Sequence, residues 1–365
     1  MRVLMLSKAC IVGIYQRKLE YIAAAGVELM TVVPPSWKDE RGEQQLERVY
    51  TEGYTLHVTP IRFNGNFHLH YYPAIGSIIH AFKPDVVHID EEPYNVASWH
   101  ALYHAQHAAK TLFFSWQNIQ RDYPPPFSWG ERWVLNTVDA GIAGTDSAAE
   151  VWRAKGYTGP LTVIPQFGTD PDLFQPAGNR PDRPFTVGYV GRLVPEKGVD
   201  LLLRAVASTD NTTQLRFIGG GPERASLGAL AAELGIANRV TFIAQVPSTE
   251  MPAQFHTFDV LALPSLTRPN WKEQFGRVLT EAMASGVPVI GSDSGAIPGV
   301  VGDAGLIVPE GDPHALCSAL SQLRDDTAFR ARLGRAGRTR VEAGFTHEQI
   351  AAATVDVYAK LLADH

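Results

Sequence analysis

Short apolar runs alternate with longer amphipathic segments along the whole chain. In the first half the runs span residues 3–6, 27–33, 86–89, 112–115, 140–143 and 161–164. In the second half they span residues 186–190, 215–218, 240–243, 260–263, 287–290 and 305–308. Strand-length runs separated by helix-length segments predict βαβ units, and uninterrupted apolar runs suit parallel strands covered on both faces. The two series therefore predict an α/β protein with two doubly wound domains.

The stretch between the two series, residues 170–184, is rich in Pro, Asp and Gly and has little periodicity. It predicts a boundary between an N-terminal domain over residues 1–172 and a C-terminal domain over residues 173–345. An ordinary surface loop within one large sheet is the alternative. Residues 346–365 predict a closing helix, because Ile350, Val357 and Leu361 recur at helical spacing after Thr346, a candidate N-cap.

Composition narrows the class of protein. The 365 residues are 45% hydrophobic and 19% charged, which is ordinary for a globular protein, and the net charge of −6 gives no reason to expect a nucleic-acid partner. The segment MRVLMLSKAC is typical of a first strand, and Cys10 and Cys317 form no disulfide or zinc spacing. We expect a cytoplasmic protein without a metal, and contact with the inner face of a membrane and the oligomeric state stay open.

Two basic side chains follow the first predicted strand of the second domain, in GYVGRLVPEKG. Gly191 lies at the strand end, and Arg192 and Lys197 lie in the loop before a helix. Arg supplies a planar fork and Lys a compact charge, so the pair could grip a diphosphate. The alternative is two solvated cations beside a turn. The phosphate loop of nucleoside triphosphatases is excluded, because its GxxxxGK[ST] pattern is absent.

A glycine run, Gly219 to Gly221, follows the next strand. It lets a ligand approach the backbone closely or simply forms a tight turn, and it lacks the GxGxxG spacing of a dinucleotide site.

Two carboxylates eight residues apart mark the segment EQFGRVLTEAMASG. A helix is predicted there, with Glu273 just before it and Glu281 about two turns inside it. Backbone N–H groups of Phe275, Gly276 and Arg277 would lie at its N-terminus, which favours phosphate. The alternatives are a capping acid at Glu273 and a surface carboxylate at Glu281. These motifs all follow strands, so they can converge on one crevice at the carboxyl edge of a sheet.

In this order and spacing, GRLVPEKG, FIGGGPE, the LPS loop and EQFGRVLTEAMASGVPVIGSDSGAIPGVV resemble the retaining glycosyltransferases of family 4. The resemblance is strongest over about residues 185–310 and extends in layout to the whole chain. It implies the GT-B fold, two Rossmann-like domains facing each other across a cleft, with the acceptor bound by the first and the donor by the second. In this fold the final helix, here residues 346–365, crosses back to the N-terminal domain. It also implies transfer of a hexose from a UDP- or GDP-sugar to a hydroxyl of a glycan, a lipid-linked saccharide or a small molecule, without a metal.

The resemblance assigns roles to individual residues. Arg192 and Lys197 match the pair that binds the diphosphate and its leaving phosphate, and Glu273 matches the acid that contacts the donor sugar. These three form the expected catalytic set. The remaining expected donor contacts are Gly13, Gly191, Gly219, Gly220, Gln274, Phe275, Gly276, Arg277 and, for the ribose hydroxyls, Glu281. Gly13 is the only glycine of its loop, where many relatives have a fuller glycine-rich loop.

The acceptor side departs from the family pattern. Many relatives end the strand at residues 112–115 with a His near the reacting carbon, but here Gln117 stands in that place and Asn118 follows. Glutamine cannot carry a proton near neutral pH, so a His base is excluded there. Glu91 and Glu92, in HIDEEPY, could accept the acceptor's proton or bind its hydroxyls; a solvated acidic loop is the alternative.

No residue stands out as a nucleophile, so the predicted mechanism is front-face substitution driven by charge stabilisation and positioning. Two other classes of function stay open. Another GT-B enzyme, such as a nucleotide-sugar epimerase or a phosphorylase, would share the diphosphate grip. A non-catalytic nucleotide-sugar-binding protein would bind the donor without turnover.

Overall fold

The computed structural model describes residues 1–39, 42–178, 183–247 and 250–363. The chain divides into two compact units, unit 1 formed by Met1–Gly168 with His347–His365 and unit 2 formed by Thr169–Thr346. These limits lie within a few residues of the predicted domain limits. Residues 179–182 of the predicted boundary stretch, and Asp364 and His365 of the predicted closing segment, lie outside the described residues.

Unit 1 is built on a seven-stranded parallel sheet. Its strands, in spatial order, are β5 (Thr55–Val58), β2 (Glu28–Val33), β1 (Arg2–Leu6), β6 (Val86–Ile89), β7 (Lys110–Ser115), β8 (Ala140–Ala143) and β9 (Leu161–Val163). A separate antiparallel hairpin pairs β3 (Ser36–Asp39) with β4 (Gly42–Gln45).

Helices cover both faces of this sheet. They are α1 (Arg17–Ala24), α2 (Ile75–Phe82), α3 (Val96–Ala105), α4 (Phe127–Thr137), α5 (Asp146–Ala154) and α13 (His347–Ala363). Side chains alternate along β1, so Val3 and Met5 belong to one hydrophobic core and Leu4 and Leu6 to the other. This two-sided burial explains why β1 is a continuous apolar run in the sequence.

Unit 2 has a six-stranded sheet, again all parallel. The spatial order is β12 (Val240–Ile243), β11 (Gln214–Ile218), β10 (Thr186–Val190), β13 (Val260–Leu263), β14 (Val289–Ser292) and β15 (Leu306–Val308). Its helices are α6 (Val199–Ala207), α7 (Arg224–Glu233), α8 (Met251–Phe255), α9 (Arg277–Ala284), α10 (Ile297–Val301), α11 (Pro313–Asp325) and α12 (Thr327–Gly344). One continuous hydrophobic core holds these elements together.

Both sheets reverse their strand order once, between β1 and β6 in unit 1 and between β10 and β13 in unit 2. In doubly wound sheets, ligands bind outside the carboxyl ends of the strands at such a reversal. The loops that follow β1 and β6, and those that follow β10 and β13, are therefore the places to look for a site in each unit.

Every apolar run predicted from the sequence contains a strand, so the predicted α/β class and strand series are confirmed. The run at 287–290 is displaced, since β14 begins at Val289. The sequence did not predict β3, β4 or β5. Among the described helices, none is both long and apolar enough to cross a bilayer.

The helix predicted for the end of the chain is α13, which follows Thr346 directly and packs against α1 in unit 1. Ile350, Val357 and Leu361 are buried in the same core as Leu19 and Ile22. The hydroxyl of Tyr358, which is also buried there, lies 2.7 Å from Nδ1 of His88. The end of the chain thus completes unit 1.

Candidate functional site

The loop after β10 is held at its start by two hydrogen bonds and at its end by close backbone packing. The N–H of Gly191 donates to the carbonyl of Ile218 at 3.0 Å, and the hydroxyl of Tyr189 donates to the carbonyl of Arg192 at 2.7 Å. Gly198 ends the loop with φ of 61°, and a Cβ there would lie 2.1 Å from the carbonyl oxygen of Pro264. This close approach fixes the loop against the end of β13.

Lys197 and Glu273, which the sequence placed in separate roles, form an ion pair. Nζ of Lys197 lies 2.5 Å from Oε2 of Glu273, and Oγ of Ser265 donates to the same oxygen at 2.9 Å. Glu273 is 7% exposed, and the ring of Trp271 lies 4.9 Å from Nζ of Lys197. The loops after β10 and β13 therefore meet at one carboxylate. Arg192, at the start of the loop after β10, is exposed.

The backbone of Glu273 is anchored by the loop after β14. Its carbonyl accepts from the N–H of Ala296 at 3.1 Å. Gly295 has φ of 55°, and a Cβ on it would lie 2.2 Å from that carbonyl. Only glycine permits both the left-handed conformation and this approach. The carboxylate thus has a fixed position, set by three strand ends.

Helix α9 begins at Arg277 with Gly276 as its N-cap, at φ of 77°. Glu281 is therefore just over one turn inside the helix, which corrects the predicted two turns, because the residues between Glu273 and Gly276 are not helical. Nε of Arg277 lies 3.0 Å from Oε1 of Glu281, whose side chain is 12% exposed. Burial raises the pKa of Glu281, and Arg277 lowers it in part. Gln274 is exposed, and the partly buried ring of Phe275 lies 5.8 Å from that of Phe345.

The glycine run after β11 contains two different environments. A Cβ on Gly219, at φ of 131°, would lie 2.1 Å from the carbonyl oxygen of Gly191. A Cβ on Gly220 would meet nothing within 4 Å. Gly219 is therefore required by the turn itself, whereas space is open only at Gly220.

In unit 1, the three acids after β6 are buried and bound to other loops. Asp90 accepts from Oγ of Ser7 at 2.5 Å and from Nε2 of Gln166 at 2.9 Å. Glu91 and Glu92 are 2% and 9% exposed. This acidic segment is not the solvated loop that was the alternative; it ties the ends of neighbouring strands together.

Glu91 and Glu92 have different partners. Glu91 lies 2.7 Å from Nζ of Lys8 and accepts from Nδ2 of Asn95 at 3.2 Å. Glu92 accepts from Oγ of Ser115 at 2.5 Å and from the N–H of Trp116 at 2.9 Å.

Burial raises the pKa of Glu91, but Lys8 and His70 more than offset it and bring that pKa down to about 2. For Glu92 burial outweighs the hydrogen bonds from Ser115 and Trp116 and the charge of Lys8, and raises its pKa to about 7.

Gln117 and Asn118, at the end of β7, are both buried. Nε2 of Gln117 donates to the carbonyl of Ile119 at 3.0 Å, and its N–H donates to Oγ of Ser115 at 3.0 Å. Oε1 of Gln117 is buried without a hydrogen-bond partner among the described residues. A buried acceptor of this kind calls for an explanation, because most are satisfied.

Gly13, the expected phosphate contact of unit 1, lies beneath another segment. Its N–H donates to Oε2 of Glu47 at 2.6 Å, and a Cβ on it would lie 2.3 Å from Cγ2 of Val49. The N–H of Gly13, which the sequence suggested as a donor to a phosphate, therefore donates to the carboxylate of Glu47.

Two family models match the chain. Residues 17–172 match the model of Glycosyltransferase Family 4, and residues 171–340 match that of Glycosyl transferases group 1. Together they span both units. The chain belongs to glycosyltransferase family 4.

Curated relatives of this chain carry related names. A D-inositol 3-phosphate glycosyltransferase of Streptomyces avermitilis is 33% identical over 261 residues, which are 65% of this chain and 55% of the relative. A GDP-mannose-dependent alpha-(1-6)-phosphatidylinositol monomannoside mannosyltransferase of Mycolicibacterium smegmatis is 38% identical over 183 residues, 47% of this chain and 48% of the relative. The chain spans about half the length of the curated relatives it matches.

Among solved structures, a sucrose-phosphate synthase of Thermosynechococcus elongatus aligns over 100% of both chains with a TM-score of 0.76 and 23% identity. At this identity the likeness concerns the fold alone. The chain has the GT-B fold, with one Rossmann-like sheet in each unit.

Several residues of the candidate site carry no motif of their own. Ser265 contacts Glu273, and Trp271 contacts Lys197. Both lie in the loop after β13. The LPS motif pointed to Ser265, whereas nothing in the sequence pointed to Trp271. Lys8 and Ser115 were missed as partners of the acids, since a contact between distant loops leaves no periodic signal. Within the described ranges, no cluster of three His, Cys, Asp or Glu could hold a metal ion.

Proposed function

We propose that the chain is a retaining hexosyltransferase that moves a sugar from a nucleoside diphosphate to a hydroxyl of an acceptor. The observation that carries the proposal is the ion pair of Lys197 with Glu273, held at 2.5 Å beside the N-terminus of α9. A diphosphate needs cationic and N–H donors, and a sugar needs a fixed hydrogen-bond acceptor. Both lie at the carboxyl edge of the unit 2 sheet, near its strand-order reversal.

In the proposed donor complex, Glu273 accepts hydrogen bonds from the sugar hydroxyls while Lys197 turns its remaining donors to the leaving phosphate. Arg192 and the first N–H groups of α9 add positive potential to the same group. Glu281 binds the ribose, which requires it to exchange its contact with Arg277 for the hydroxyls. Gly220 gives the donor access to the backbone, because the space above it is open.

In the proposed front-face reaction, the bond from the anomeric carbon to the diphosphate breaks as the acceptor oxygen bonds to the same face. The departing phosphate oxygen takes the acceptor's proton, so no enzyme base is needed. This route suits Gln117, which stands where relatives have a His and cannot carry a proton. Charge stabilisation of the leaving group then supplies most of the rate enhancement.

The names of the relatives guide the choice of donors and acceptors. One relative is named for GDP-mannose, and two for acceptors that contain inositol. A first screen should therefore offer UDP-glucose, UDP-N-acetylglucosamine and GDP-mannose, and follow nucleotide release. The anomeric configuration of the product, read by proton NMR, tests retention; an inverted product would contradict the mechanism.

Lys197→Ala and Arg192→Ala test the roles in unit 2. Each is expected to lower turnover about 100–1000-fold while the protein stays folded, because each removes a preorganised donor to the leaving group. Arg332→Ala, an exposed cation on α12 with Phe329 as its ring contact, is the matched control and should keep wild-type turnover. Near-wild-type turnover in both site variants would refute the assignment.

A further inference from the structure

Loops after β5, β6 and β7 of unit 1 bring four aromatic rings together around His68. The imidazole centroid lies 5.2 Å from that of Phe127, 5.5 Å from Tyr123 and 5.6 Å from Tyr94. Tyr94 and Tyr123 are 4.5 Å apart, and Phe67 is 6.2 Å from Tyr94. We call these five residues, Phe67, His68, Tyr94, Tyr123 and Phe127, the ring platform.

The ring platform is partly open to solvent. Tyr94 is buried at its base, whereas Phe67 is 39% exposed and His68, Tyr123 and Phe127 are partly exposed. Aromatic rings that only held loops together would be covered. Exposed apolar area grouped in this way is typical of a binding surface.

The platform adjoins both acids that the sequence placed on the acceptor side. Nζ of Lys8 lies 4.5 Å from the ring centroid of Phe67 and 2.7 Å from Glu91. Burial raises the pKa of Tyr123, a hydrogen bond with Tyr94 lowers it in part, and Glu92, when ionised, raises it further. The backbone N–H of Val96 donates to the carbonyl of His68 at 2.9 Å, which joins the loop after β5 to the start of α3. The platform is thus part of the carboxyl edge of the unit 1 sheet.

His68 gives the platform a polar centre. Burial, His70 and Arg121 lower its pKa, which favours the neutral imidazole. Its ring nitrogens make no hydrogen bond to another residue within the described part of the chain, and a neutral imidazole offers one donor and one acceptor.

We propose that the ring platform binds the acceptor as a six-membered polyol ring, a pyranose or a cyclitol, stacked by its C–H face. This inference rests on the proposed function only in identifying the bound ring as the acceptor. Such rings have an apolar face for Tyr123 and Phe127 and hydroxyls at their edges for His68. A hydrocarbon chain fits less well, because it would cover the His68 nitrogens without satisfying them.

Binding can be tested without any donor. Saturation-transfer NMR on the full chain would use methyl α-D-mannopyranoside and myo-inositol as polyol probes, with benzyl alcohol and n-octanol as apolar comparators. Saturation of the ring C–H protons of a polyol is expected in the wild type. Binding of an apolar comparator without either polyol would overturn the proposal.

Variants locate the binding on the platform. Tyr123→Ala and His68→Ala should each weaken the polyol at least about tenfold, since each removes a stacking or hydrogen-bonding surface. Tyr123→Phe should keep the stacking and stay within about threefold of the wild type. Tyr103→Ala is the matched control, because Tyr103 is 66% exposed on α3 and outside the platform. Unchanged binding in both alanine variants would place the polyol elsewhere and reject the platform.

Failure of the platform and failure of the proposed function give different results. If the wild type releases nucleotide from a sugar donor but the platform variants keep their acceptor KM, only the platform is wrong. If no donor is turned over and the platform still binds a polyol in a Tyr123-dependent way, the transferase proposal fails and the polyol site stands. Melting temperatures of the variants show that each is folded, and His68→Asn replaces His68→Ala if the latter is not.

Discussion

At the scale of single residues, Glu91 and Glu92 show how two adjacent acids of one sequence motif acquire opposite properties. The ammonium of Lys8 stabilises the charged carboxylate of Glu91, whose pKa falls to about 2. Within the described part of the chain, Glu92 accepts from the neutral groups of Ser115 and Trp116, and burial raises its pKa to about 7. The folded protein therefore favours the charged form of one and the protonated form of the other.

These shifts predict a pH dependence for Glu92. Because its folded-state pKa lies above 4.5, the folded protein binds this proton more tightly than the unfolded chain. The resulting stabilisation is present below about pH 4.5 and is lost as the pH rises through about 7. As the pH rises from about 5 to about 8, the free energy of unfolding of the wild type should fall by up to about 3 kcal/mol more than that of Glu92→Gln. Hydrogen exchange of β6 and β7 at several pH values measures this difference.

Glu91→Gln is the control, because its expected effect has the opposite sign. The Glu91 contribution is present above about pH 4.5 and lost as the pH falls towards about 2. Removing the charge leaves Lys8 unpaired and should cost about 3–5 kcal/mol at neutral pH. If the free energies of unfolding of the two variants changed with pH in the same way, the described causes of both pKa shifts would be wrong.

The sequence predicted the types of residue at the sites better than their partners. Glu273 and Lys197 stood out because each follows a strand in a distinctive context. Their direct ion pair was not predictable, because it depends on how two loops from β10 and β13 close on each other. Likewise, the motif HIDEEPY pointed to the acids, but it did not predict their contacts with Ser7, Lys8 and Ser115.

At the scale of elements, the turn after β11 separates structural from ligand-related glycines. Gly219→Ala places a Cβ 2.1 Å from the Gly191 carbonyl, and the backbone must move to relieve it. We expect a loss of about 3 kcal/mol or more in the stability of unit 2, measured by hydrogen exchange of β10 and β11.

Gly220→Ala is the companion change, one residue away in open space. Its effect on stability should stay within about 0.5 kcal/mol. If the donor passes over this backbone as proposed, Gly220→Ala weakens donor binding in a titration while exchange rates stay normal. Equal destabilisation by the two variants would contradict the distinction between them.

The same scale shows which elements a sequence reveals. Central strands such as β1 and β10 are buried on both faces, so their composition alone marks them. Strand β5 lies at the edge of its sheet and is only partly buried, and β4 is exposed along its length. An edge position alone does not hide a strand, because the edge strands β9, β12 and β15 lie in predicted apolar runs. Strand β4 has no apolar run at all, and that of β5 is interrupted by His57, so backbone pairing rather than composition defines them.

At the scale of the whole molecule, the chain leaves unit 1 after Gly168, builds unit 2, and returns to unit 1 with α13. The core of unit 2 contains no residue of α13, whereas the unit 1 core includes Ile350 and Tyr358. The last helix should therefore stabilise unit 1 and leave unit 2 unaffected.

Tyr358→Ala tests this dependence, because Tyr358 is 0% exposed and its hydroxyl contacts His88. Loss of the ring should cost unit 1 about 3–5 kcal/mol. Lys360→Ala, two residues further along the same helix and 73% exposed in its side chain, should cost less than about 0.5 kcal/mol. Residue-resolved hydrogen exchange should show faster exchange in β1 and β6 of Tyr358→Ala and unchanged protection in β10 and β13. Equal loss of protection in both sheets would mean that the two units unfold as one, and that α13 stabilises the whole chain.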